Sequence, residues 1–194
     1  LHKEYRRQRQ MCIRDSALIV LAFQNVARAF VDAPDRLPGI VLALARAAGA
    51  PVGIVAGQAW ECEAATPLEE YRRLKTGALF VAATVGGALS AGSDPAPWRT
   101  LGERLGEAYQ VADDIRDALG TEEELGKPAG KDEALGRPSA VTQFGLAGAV
   151  KYFESLIAGA SASIPPCPGA EFLRELVDLE AQRLLPEQLL RRAA

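Results

Sequence analysis

At 194 residues, 48% hydrophobic and 24% charged, the chain can bury a sizeable core in one domain, and its composition excludes a disordered polymer. A formal net charge of -3 removes the overall cationic field that draws proteins to nucleic acid or anionic lipid, so any phosphate-binding site must be local. One His and three Cys (Cys12, Cys62, Cys167) without CxxC spacing exclude a His-based metal site, a zinc cluster and a disulfide framework, which fits a reducing cytoplasm.

In chain order, the first segment, LHKEYRRQRQMCIRDS, stands apart in composition. It holds five Lys/Arg against two acids, leaving 17 basic and 23 acidic side chains for residues 17–194. It has no apolar core of the signal-peptide kind. Because an amphipathic pattern starts abruptly at Ala17, residues 1–16 read as a foreign or disordered segment; a basic arm for a polyanion is the alternative. Helical periods then alternate with Gly/Pro punctuation, and no period-2 strand stands out. Helices are expected at about 17–32, 38–49, 51–64, 67–92, 96–119, 139–160 and 168–190. Thr66 offers an N-cap, with Pro67 at N1 and Glu69 at N3. The run GALFVAATVGGALSAG, Gly77 to Gly92, is 16 residues long, under the roughly 20 that cross a bilayer. Its small residues suit a tightly packed buried helix, and no transmembrane segment is expected. The fold class is an all-α bundle.

On the helix expected at 96–119, Leu101, Leu105, Ala108, Ala112 and Ile115 form one stripe at roughly 100° per residue. Gln110, Asp113, Asp114 and Asp117 share another arc, so three carboxylates are expected to face one space, with Arg116 on a different side. Like charges so placed repel and call for a cation. A solvated acidic face is one reading. The other is Mg²⁺, a hard ion that takes one or two carboxylates and completes its shell with waters and phosphate oxygens. Downstream, Lys127, Lys131 and Arg137 lie among Gly126, Gly130 and Gly136 and supply phosphate donors beside such a site. GKPAGKD is no P-loop: its glycine spacing is short, Asp132 stands where Ser/Thr would bind the metal, and no strand precedes it. Upstream, Arg72, Arg73 and Lys75 precede an uncharged run, with Thr76 adding a hydroxyl donor.

Three stretches in this order and spacing, KTGALF (Lys75 to Phe80), GEAYQVADDIRD (Gly106 to Asp117) and GKPAGKDEALGRPS (Gly126 to Ser139), resemble the trans-type isoprenyl diphosphate synthases. GQAWECEA at Gly57 resembles the family's Gly-Gln segment, with Glu61 where Asp is usual. The wording is nearest to bacterial geranylgeranyl diphosphate synthases of carotenoid pathways, and the resemblance runs from about Ala17 to near the C-terminus.

The resemblance implies an antiparallel helical bundle around a deep cavity, with Mg²⁺ held between two Asp-rich motifs. Asp113, Asp114 and Asp117 match the second motif and are the implied metal ligands. Lys127 and Arg137 match residues that hold the allylic diphosphate, Arg137 replacing the more usual Lys. Lys75, Thr76, Gln110 and Gln58 fall at positions lining the site, as does Tyr109 in place of the usual Phe. The implied reaction condenses isopentenyl diphosphate onto an allylic diphosphate, and the implied assembly is a homodimer. No DDxxD precedes Asp113. Residues 17–194 are therefore expected to be the C-terminal part of one such domain, incomplete at its N-terminus, with this chain alone inactive or feeble. A non-catalytic partner subunit and an inactive helical fragment are the alternatives.

Overall fold

The structure, a computed structural model, describes residues 2–63, 68–120, 139–186 and 189; nothing is described of the side chains of residues 2–8, 61, 68 and 69. Its α-helices in chain order are α1 (His2–Ala29), α2 (Leu37–Ala48), α3 (Ile54–Ala59), α4 (Leu68–Arg72), α5 (Ala78–Ser90), α6 (Arg99–Leu119), α7 (Ala140–Ala162) and α8 (Ala170–Leu184). Among the described residues there is no strand, and no helix is long and apolar enough to cross a membrane. The expected all-α class holds.

The centre of the bundle is α6. It packs against α7 on one side and α5 on the other, with α2 on α5, α8 on α7 and α1 on α2. The expected stripe is the core seam: Leu101, Ala108, Ala112 and Ile115 are buried, with Leu105 packed partly against them. From α7 come Ala149, Phe153, Leu156, Ile157 and Ala160, and from α8 Ala170 and Val177. The α5 face of α6 is built differently. A Cβ on Gly102 would sit 2.6 Å from Val81 Cα and 2.8 Å from the Phe80 carbonyl oxygen, and one on Gly106 would sit 2.8 Å from Gly77 Cα. Glycine there lets the two helix backbones meet.

Several boundaries differ from expectation for local reasons. With no Pro or Gly before Phe30, α1 runs unbroken through Ala17 from His2. The helix expected over 51–64 is only the six residues of α3, closed by a 3-10 turn at Trp60–Cys62. The long helix expected over 67–92 is α4 and α5 joined by a π-helical turn, Arg73–Gly77. That turn lies where Gly57 abuts the backbone: a Cβ there would fall 2.6 Å from the Lys75 nitrogen. The cap expected at Thr66 and Pro67 lies outside the described residues. In α5 only Ala88 is buried, and Leu79, Ala83 and Gly87 form an exposed face, so this helix, packed on α6 and α2, is not enclosed. Arg36 ties α2 to the end of α5, its Nη1 donating to the Ser90 carbonyl at 2.7 Å.

Apolar surface remains uncovered on the α1 side. Leu18, Ile19, Val20 and Leu21 are exposed on α1 and Leu42 on α2. An open groove of about 230 Å³ runs between α1, α2 and α5, lined by Val26, Ile40, Leu44, Leu79 and neighbouring alanines.

Candidate functional site

The three aspartates of α6 do three different things. Asp113 is half exposed, and its Oδ1 accepts from Arg116 Nη2 at 3.3 Å. Arg116, expected on another side, thus reaches the acidic arc, because residues three apart are neighbours on a helix surface. Asp117 sits one turn beyond Asp113 with its Oδ1 buried. Asp114 is only 6% exposed. Its Oδ2 accepts from Arg72 Nη2 at 2.8 Å and from the Ala140 backbone nitrogen at 2.7 Å, and its Oδ1 from Gln110 Nε2 at 3.3 Å. The expected convergence of three carboxylates is therefore absent: among the described residues no three Asp, Glu, His or Cys side chains gather as a metal-holding group. The reason is tertiary, since α4 and α7 meet α6 at Asp114 and draw its carboxylate to themselves.

The π-helical turn carries the second part. Lys75 Nζ donates to Tyr71 Oη at 2.5 Å and lies 4.9 Å from the centroid of that ring. Such a contact holds an ammonium along an aromatic edge and face without neutralising its charge. Thr76 Oγ1 lies 3.4 Å from Gln110 Oε1 as donor, and Gln110 in turn donates to Asp114. A chain of polar contacts thus joins Thr76, Gln110, Asp114 and Arg72 across three helical segments. A π-helical turn wraps one extra residue, which re-aims the side chains beside it, and such turns recur at functional sites.

Other expected site residues fall as follows. Gln58 is exposed at the end of α3, beside the Gly57 that abuts Lys75. Tyr109 is 38% exposed with its ring 5.5 Å from that of Phe80. Lys127 and Arg137 lie outside the described residues, as does the side chain of Glu61. Asp113 and Asp117 are carboxylate oxygen donors one turn apart on α6, the ligand type a hard cation takes, Asp113 being half exposed and Asp117 having its Oδ1 buried. Three participants were missed by sequence reasoning. Arg72 was noted only as part of a basic mark, and Tyr71 beside it not at all. Ser139 caps α7, accepting from the Thr142 nitrogen at 3.1 Å, while Thr142 Oγ1 accepts from the Ser139 nitrogen. The Ser-x-x-Thr spacing was the available signal.

The sequence pattern of polyprenyl synthetases matches residues 9–161. The chain belongs to the polyprenyl synthetase family. Over 189 residues it is 49% identical to the geranylgeranyl diphosphate synthase of Cereibacter sphaeroides, covering 97% of this chain and 65% of that protein. Among solved structures, it resembles an FPP/GFPP synthase from Zymomonas mobilis, at 26% identity and a TM-score of 0.69, over 84% of this chain and 58% of the other. A second likeness is to a geranyltransferase from Helicobacter pylori complexed with magnesium and isoprenyl diphosphate, at 25% identity and a TM-score of 0.63, over 91% and 57% of the two chains. The chain thus spans slightly under two thirds of the length of the family relative it matches at 49% identity.

Proposed function

We propose that the chain supplies the allylic-diphosphate half of a trans-prenyltransferase, which condenses isopentenyl diphosphate with an allylic diphosphate to make a short-chain prenyl diphosphate, geranylgeranyl diphosphate being favoured. The observation that carries this reading is the docking of the Lys75–Thr76 turn on the acidic end of α6 through Gln110. Kinship with a geranylgeranyl diphosphate synthase supports the substrate class.

On this reading Lys75 and Thr76 bind diphosphate oxygens, and Lys127 and Arg137 add charge from the segment after α6. Gln58 and Tyr109 line the same site. Asp113 and Asp117 would hold Mg²⁺, which when bound would supply charge neutralisation to the departing diphosphate. Cationic and hydroxyl donors set before the reaction stabilise charge that develops as the allylic carbon–oxygen bond breaks. No protein nucleophile is needed. The electron pair of the isopentenyl double bond forms the new carbon–carbon bond, and the released diphosphate is positioned to accept the proton lost afterwards. Apolar surroundings keep water from the cation.

Calorimetry with farnesyl thiodiphosphate tests this. Binding is expected to require Mg²⁺ and to weaken about tenfold in Lys75→Ala, the loss of one charge-assisted hydrogen bond. Binding indifferent to both would overturn the reading. The three cysteines are exposed free thiols, which suits the reducing cytoplasm.

The chain is further proposed to form a homodimer through α1 and α2, whose exposed Leu18, Ile19, Leu21 and Leu42 a second copy would cover. Light scattering should give twice the chain mass, and Leu18→Glu with Leu21→Glu should halve it. A monomeric wild type refutes the assembly.

A further inference from the structure

Asp114 is the buried charged side chain of the described core, and the proposed chemistry leaves it without a task. Its carboxylate receives donors from three helices: Arg72 of α4, Gln110 of α6 and the backbone nitrogen of Ala140, the first residue of α7. First-turn nitrogens of a helix have no partner within it, and the turn held here is a short one, since Gly145 (φ 68°) kinks α7 five residues on. Ser139 satisfies the nitrogen of Thr142 in the same turn. The side chain of Asp114 is 3% exposed against 38% for Asp113. Both oxygens of Asp114 are already engaged, Oδ2 by Arg72 and Ala140 and Oδ1 by Gln110, so a Mg²⁺ ion would have to displace these donors to use it.

We propose that Asp114 is a positioning residue and not a metal ligand: it pins Arg72 and the start of α7 to α6, and through Gln110 it sets the place of Thr76. This rests on the proposed function only in leaving Asp113 and Asp117 as the metal carboxylates. The geometry also separates two adjacent aspartates that one-dimensional reading treats alike, Asp113 facing outward and Asp114 inward.

The test is a Mn²⁺ titration by electron paramagnetic resonance with inorganic diphosphate, paired with melting curves, on Asp113→Asn, Asp114→Asn, Asp117→Asn and Arg72→Met. Asp114→Asn should keep the wild-type Mn²⁺ stoichiometry, melt lower, and bind diphosphate about tenfold more weakly, as displaced supporting groups do. A residue with a purely structural role would change melting alone. Asp113→Asn and Asp117→Asn should lose Mn²⁺ while melting at or above the wild-type temperature. Loss of a Mn²⁺ site in Asp114→Asn with unchanged melting would make Asp114 a ligand and overturn the proposal, and unchanged diphosphate affinity would overturn the positioning role. The double variant Arg72→Met with Asp114→Asn should lose less stability than the sum of the two single losses; additive losses would overturn the pin. Should Asp114→Asn alone fail to fold, recovery of folding in the double variant supports the pin and continued failure refutes it. A wild-type chain that binds no Mn²⁺ sinks the metal reading of Asp113 and Asp117, and the pin then stands or falls on the melting cycle.

Discussion

Asp114→Ala is expected to destabilise the fold by about 3–5 kcal/mol, the range for removing one partner of a buried ion pair. Two losses combine. The Arg72 guanidinium, 23% exposed, loses the carboxylate 2.8 Å away, and the first-turn nitrogen of Ala140 loses its acceptor. An unsatisfied buried donor alone costs about 1–3 kcal/mol. In a chain of this size each kcal/mol lowers the melting temperature by about 2–4 °C, so thermal unfolding followed by circular dichroism would register the change plainly. A wild-type melting temperature in Asp114→Ala would mean that the carboxylate holds nothing together.

Asp113→Ala should do the reverse. Its ion pair with Arg116 joins two groups each about a third exposed, and such surface pairs contribute about 0–1 kcal/mol; relief of repulsion with Asp117 offsets part of that. Folding should be unaffected. Turnover, measured in a fusion that supplies the first Asp-rich motif from a family relative, should fall by several orders of magnitude, because the carboxylate acts on charge present in the transition state. Wild-type turnover in Asp113→Ala would refute its role. Adjacent residues of one motif are thus expected to separate, one reporting on melting and the other on rate.

Which aspartate does which was not legible in the sequence. The i, i+1, i+4 spacing places all three on one arc, and only the meeting of α4 and α7 with α6 turns Asp114 inward. The core stripe of α6 was legible, because Leu101, Ala108, Ala112 and Ile115 repeat at the helical period and α6 is long enough to display it. Motif order and the family were legible for a similar reason, being carried by local strings of residues. Tertiary contacts leave no such string. The π-helical turn at Arg73–Gly77 has no periodicity of its own to announce it, and it lies where Gly57 presses on the Lys75 backbone from another segment of the chain. Small residues of α5 suggested burial on all sides, yet only Ala88 of that helix is buried, and the glycines that bring the two backbones together are Gly102 and Gly106 of α6.

The most direct measurement is Mg²⁺-dependent transfer of labelled isopentenyl diphosphate onto C5, C10 and C15 allylic diphosphates, by this chain and by the fusion carrying a relative's first Asp-rich motif. Prenyl diphosphate product is expected from the fusion, abolished by Asp113→Ala, with product length reporting which synthase it is. A helical, folded fusion that makes no product from any of the three allylic partners would contradict the proposed function.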